Sequence, residues 1–302
     1  MRKLSAVLLV AVVGGGCGNS TVTQQSGAAA CITASGCGIL LGGISACTQY
    51  VVLVNDPAFA AAAHLSPAQV NCIASAGSDC AAAKKCLAGG NTPATCSGAA
   101  KSCVGNTWQQ CTLNAGSGGN MGIQLYDCSS VGEMCVTNNG NTDCGFGTCS
   151  PGASTCVTPD GTAGGNLVQS CNGGILQRQD CTRFDASCNP SGVAHCRGNG
   201  AACSKGPLGD TSLRCDGSTL VNCTDGQEAR YDCNKDNLGC YTGVGGNAFG
   251  CAAGNACDPA NYSANCIGTK LTYCNKGVVA MADCASSGFA SCNPNGGGSC
   301  SN

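Results

Sequence analysis

Six cysteines recur in the same order four times from residue 96 onward, and this periodicity limits what the chain can fold into more than any other feature. The blocks begin at Cys96, Cys149, Cys203 and Cys257, at periods of 53, 54 and 54 residues. In each, the third cysteine closes a Gly-x-x-apolar-x-x-Cys pattern: GNTWQQC (105–111), GNLVQSC (165–171), GSTLVNC (217–223) and GTKLTYC (268–274). The fourth always follows an aspartate: Asp127, Asp180, Asp232 or Asp283. The glycine permits a turn into a strand, and the apolar residue (Trp108, Val168, Leu220 or Leu271) points into the module, with alternation on either side. Gly173-Gly174, Asp225-Gly226 and Lys276-Gly277 then close a hairpin, since such residues tolerate positive φ. The first copy has a longer loop there, NAGSGGNMG; the second lengthens the approach to its first strand, VTPDGTAGG. Such insertions cost little, because loop-closure entropy grows only logarithmically with length.

The repeats carry Cys96, Cys103, Cys111, Cys128, Cys135 and Cys144; Cys149, Cys156, Cys171, Cys181, Cys188 and Cys196; Cys203, Cys215, Cys223, Cys233, Cys240 and Cys251; and Cys257, Cys266, Cys274, Cys284, Cys292 and Cys300. An isolated hairpin is marginal in water, so each module must draw stability from bridges worth about 2–4 kcal/mol apiece. Spacing does not choose the pairing, but pairing is expected to stay within blocks. The joints GFGT, RGNGAA and AAGNA are short and glycine-bearing, which keeps neighbouring modules close and lets them pivot.

Composition agrees. There are 31 cysteines in 302 residues, while aromatic residues make up 4%, too few for one large core. No CxxC occurs, the closest pair being Cys144 and Cys149, so zinc-knuckle and thioredoxin-like chemistry are excluded and no metal or cofactor is expected. With 14 basic and 16 acidic residues and no basic stripe, nucleic acid is not a partner.

At the amino terminus, Arg2 and Lys3 precede an apolar run from Leu4 to Val13 and then Gly14-Gly15-Gly16-Cys17, the plan of a signal peptide over residues 1–16. Cys17 stands where lipid attachment would follow cleavage, and setting it aside leaves thirty cysteines, five blocks of six. Residues 17–30, polar and small, read as a lipid-anchored tether. Residues 31–90 read as a helical disulfide domain, with Cys31, Cys37, Cys47, Cys72, Cys80 and Cys86. Asp56-Pro57, Ser66-Pro67 and Ser78-Asp79 each punctuate a helix start, and Ile39 to Val54 holds an earlier helix. Cys80 and Cys86, six apart on one helix, point to different faces and staple it to two neighbours.

The expected fold is therefore a helical unit followed by four short-stranded, β-rich modules (96–144, 149–196, 203–251 and 257–300), in a row or closed into a four-bladed ring. Catalytic patterns are lacking: His64 and His195 sit near no nucleophile motif and read as surface histidines, and no catalytic residue is assigned. The four Asp-Cys aspartates read as turn caps rather than calcium ligands, and Trp108 as core filler rather than a stacking platform.

The Gly-Gly-Gly-Cys17 junction, the segment QVNCIASAGSDCAAAKKCLAGG (69–90) and the G-x-x-L-x-x-C…D-C repeats together resemble the cysteine-rich exported lipoproteins of myxobacteria. Gly14 departs from the leucine usual in a lipobox. The resemblance implies an outer-membrane or cell-surface location, with the membrane as partner through Cys17. It transfers no catalytic residue. The expected role is a non-enzymatic spacer or adhesion surface meeting a protein or glycan. Two alternatives are a ligand-binding array, which would need exposed Trp108 and Tyr126, and a secreted inhibitor presenting loop 113–121 or 157–165, or an enzyme. Nothing in the sequence fixes an oligomeric state.

Overall fold

The computed structural model describes residues 21–39, 43–89, 95–96, 100–113, 121–152, 154–204, 213–241, 250–259, 261–295 and 298–302. Cys17, the signal segment and most of loop 113–121 lie outside these residues. Five helices come first: α1 (Gln24–Gly36), α2 (Ile44–Tyr50), α3 (Pro57–Ala63), α4 (Pro67–Ala76) and α5 (Cys80–Leu87). Three start where the sequence marks them. Asp56 caps α3 ahead of Pro57, Ser66 and Gln69 form a capping box on α4, and Asp79 caps α5.

The tether expectation needs correcting. Residues 24–30 are helical rather than flexible, because Thr23 and Ser26 form a capping box and Val22 is buried. The absence of apolar periodicity reflects a helix whose small side chains allow close approach. A Cβ added to Gly27 would lie 2.8 Å from a Val51 methyl group.

Each repeat is a three-stranded antiparallel meander followed by one 3-10 turn and a second, two-stranded hairpin. In the third repeat the strands are Arg214–Asp216, Thr219–Thr224 and Gln227–Asp232, then Gly239–Tyr241 and Gly250–Ala252. Asp225 and Gly226 both take positive φ (54° and 74°), as do Gly173-Gly174 and Lys276-Gly277, so the turns are of the expected type. The first repeat's meander gains Thr95–Cys96 at its edge. Among the described residues the sheets have two to four strands and form no closed barrel.

Pairing follows one rule: second cysteine with fifth, fourth with sixth, first with third. The second repeat shows all three, Cys149–Cys171, Cys156–Cys188 and Cys181–Cys196, as do the third and fourth. The first repeat shows Cys103–Cys135 and Cys128–Cys144, and Cys111 is also bridged. The helical region obeys the same order with unrelated structure: Cys31–Cys47, Cys37–Cys80 and Cys72–Cys86. Cys80 and Cys86 thus tie α5 to two different helices. The hairpin cysteines, such as Cys188 and Cys196, face each other in register yet bond back to the meander, locking the two sheets together.

Among the described residues bridges stay inside each block, but apolar packing does not. One core joins Ile44, Val54, Val70 and Ile73 of the helices to Leu271, Tyr273 and Phe289 of the fourth repeat. The Phe289 ring occupies the space a Cβ on Gly36 would need, 2.6 Å away. On α2, the buried Ser45 hydroxyl accepts from the Cys274 amide and Thr48 donates to the Cys274 carbonyl, both at 3.0 Å. Burying Leu271 alone contributes about 1.5–3 kcal/mol. The first repeat also docks on the helices, where Gln69 donates to the Leu125 carbonyl oxygen at 2.8 Å. The first and last modules therefore both rest on the helical region.

The joints are bonded rather than free to pivot. Phe146 donates its amide to Leu176, Gly200 to Glu228 and Ala253 to Lys276, each at 2.8–2.9 Å, on the hairpin of the following repeat. A side chain at Gly198 would collide with the Glu228 backbone, which explains glycine in that joint. Of the four shared apolar positions, Trp108, Val168 and Leu271 are buried, whereas Leu220 is only half-buried.

Candidate functional site

His64 is not the exposed helix-end residue its isolation in the sequence suggests. It closes α3 in the left-handed region (φ 49°) and lies buried between the helices and the first repeat. Its ring stacks on Trp108 at 3.7 Å between centroids and meets the Tyr126 ring edge-on at 5.7 Å. Its Nε2 bonds Asp143 Oδ1 at 2.7 Å, and its carbonyl oxygen accepts from Gln124 at 2.9 Å. Burial pushes the Asp143 carboxyl up, but His64, the Cys144 amide and Lys101 together outweigh it and hold the group below its ordinary range. Among the described residues the ring makes no hydrogen bond to a serine, threonine or thiol, and its bond to Asp143, 79 residues on, fastens two parts of the fold.

The second histidine does the same at another joint. His195 bonds Asp225 Oδ2 at 2.8 Å, across the boundary between the second and third repeats. Asp143 and His195 occupy equivalent positions, each just before the sixth cysteine of its block. In these two repeats that position carries the contact to an adjoining unit, whereas the third and fourth repeats place Gly250 and Ser299 there.

Trp108 and Tyr126 are 2% and 1% exposed, so neither offers a stacking platform for a sugar. The Tyr126 hydroxyl is buried beside Ser130, and the Ser130 hydroxyl donates to the Asp127 carbonyl oxygen at 2.6 Å. The four Asp-Cys aspartates each cap the 3-10 turn of their repeat: Asp127, Asp180, Asp232 and Asp283 accept from amides two residues on at 2.9–3.1 Å. Among the described residues no cluster of three or more potential metal ligands occurs. Loop 157–165 is held by Thr158, Asp160 and Thr162 bonding one another and offers no basic side chain.

A cleft of about 700 Å³ lies between α3 and the first two repeats. Phe59 lines it from α3, Glu133 from the first repeat, Phe146 from the joint that follows, and Arg178, Arg183 and Phe184 from the second repeat. Arg178 lies over the Phe146 ring at 4.3 Å and donates to Gln169 and to the Pro159 carbonyl. Arg183 pairs with Asp56, the cap of α3, and approaches the Phe184 and Tyr231 rings. The half-buried Glu133 is pushed up to about 7, first by burial and then by Asp143. Neither His64 nor Glu133 was singled out by sequence as a contact residue. For Glu133 a signal existed: it falls five residues after the fourth cysteine, where the other repeats place Ala186, Leu238 and Phe289.

These features define a disulfide-rich protein with a small helical amino-terminal region and many short antiparallel sheets. No family model, curated protein or solved structure matches the chain. Its extensive bridges point to an extracellular or secreted setting. Among the described residues no helix is long and apolar enough to cross a membrane.

Proposed function

We propose that the protein is a non-enzymatic cell-surface lipoprotein whose stapled repeats act as an interaction surface. One observation carries this reading: the first and last repeats both dock on the helical region, with hydrogen-bonded joints between successive modules. A spacer gains reach from keeping its ends apart; this chain brings the ends of its array onto one support, which favours display over reach. The anchor is an acylated Cys17, supported by the run of apolar residues before it and by the even count of cysteines that remains. The resemblance to myxobacterial exported lipoproteins supports the same location.

Fractionation and mass spectrometry test the location together. The mature protein should sediment with outer membranes and carry acyl mass at Cys17, and Cys17→Ser should release it to the medium. The interaction role is tested by adding labelled soluble protein to intact cells of the producing strain. Saturable binding competed by unlabelled protein is expected; a non-acylated Cys17 would remove the anchor, and non-saturable binding would remove the role.

A further inference from the structure

The fifth residue after the fourth cysteine has the same backbone setting in every repeat. Glu133, Ala186, Leu238 and Phe289 each donate their amide to the carbonyl of that cysteine at 3.0–3.2 Å. In three repeats the side chain is buried and apolar: Ala186 at 2%, Leu238 at 6% and Phe289 at 2% exposure. The fold therefore asks for an apolar side chain there, and the first repeat supplies a carboxylate at the wall of the cleft between α3 and the first two repeats. Stability does not account for that choice, since burial opposes the charge.

The other charges lining this cleft are occupied. Asp180 caps its turn, Asp56 and Arg183 pair with each other, and Arg178 is held by Gln169 and Pro159. Glu133 makes no ion pair or side-chain hydrogen bond among the described residues, and Asp143 adds a second negative charge near it. Phe59, Phe146 and Val131 line the same cleft. A cleft of this volume lies within the roughly 300–1,000 Å³ common for small-molecule sites.

We propose that this cleft binds an organic primary ammonium with an apolar body, the carboxylate of Glu133 receiving the charge and the phenyl rings receiving the body. A bound cation supplies the partner that the fold withholds, and it draws Glu133 into its ionised form. The inference goes beyond surface display and does not depend on the anchor at Cys17.

The probes are 4-phenylbutylamine and its matched alcohol and carboxylate, 4-phenylbutanol and 4-phenylbutanoate, titrated calorimetrically into the folded, oxidised protein. The amine should bind at least about tenfold more tightly than either analogue. Its affinity should rise about tenfold between pH 6 and pH 8 as Glu133 loses its proton. Glu133→Gln should remove both the preference and the pH dependence. Glu133→Leu, which restores the residue type of the other repeats, should fold at least as well and also lose the amine. Equal binding of the alcohol or the carboxylate, undiminished binding by Glu133→Gln, or no amine binding at millimolar concentration would overturn the proposal. The probe comparison uses the native chain, so it decides the matter even if a variant folds poorly.

Discussion

Lys276 is the first residue of the hairpin turn in the fourth repeat, where the equivalent residues are Gly173 and Asp225. It is 2% exposed, and burial pushes its ammonium down to about 8, with Asp236 acting weakly in the other direction. Holding the group at about 8 instead of 10.5 corresponds to about 3 kcal/mol against the charged form at neutral pH. Lys276→Met keeps the length and apolar stem, takes the same left-handed backbone (φ 51°) and deletes the charge. That cost is already net of Asp236, and the methionine sulfur and methyl must still pack where the ammonium lay, so the variant should gain about 1–3 kcal/mol at pH 7. The pH dependence gives the sharper test. Between about 8 and 10.5 the unfolded chain holds a proton that the folded chain has released, so wild-type stability rises with pH and the variant's lead shrinks. Guanidinium unfolding of both proteins in a Cys17→Ser background, bridges intact, at pH 7 and pH 9.5 would measure this. A variant no more stable at pH 7, or a lead unchanged at pH 9.5, would refute the reasoning.

Peptide mapping of the oxidised protein should find Cys96 joined to Cys111, completing in the first repeat the rule the other repeats follow. Gly277→Ala should cost at least about 2 kcal/mol in a denaturant titration, because at φ 85° its Cβ would strike the Gly254 carbonyl oxygen. His64→Ala should lower stability by about 2–3 kcal/mol and expose Trp108 to acrylamide quenching, since it opens a cavity against the indole and strands Asp143. Glu133→Leu should raise stability by about 1 kcal/mol at pH 8, after allowance for solvent on its open side. Folded Glu133 keeps its proton until about 7 and the unfolded chain loses it near 4.5, so that gain should fade as the pH drops towards 4 in thermal melts.

The repeats and helix starts were legible because their signals are local. A positive-φ turn at Asp225-Gly226, a capping aspartate before Cys128 and proline after Asp56 each act within a few residues. The α1 start was missed because glycine, serine and alanine carry no period, and their value emerges only when Val51 packs against Gly27. His64 was misread for a related reason: its partners Trp108, Tyr126 and Asp143 lie 44 to 79 residues away and nothing near it announces them. Glu133 could have been found, since aligning the four repeats already sets a carboxylate against alanine, leucine and phenylalanine. That contrast acquires chemical meaning only once the cleft beside it is known.

The contact between α1, α2 and the fourth repeat unites the first described part of the fold with its last residues, and no disulfide among the described residues crosses it. The helices cannot finish shielding their oily side until Phe289 and Cys300 arrive, so a product cut short by even one module would leave that side bare and be marked for aggregation or proteolysis. Parting that seam would break no disulfide among the described residues, only apolar packing and the hydrogen bonds of Ser45 and Thr48 to Cys274.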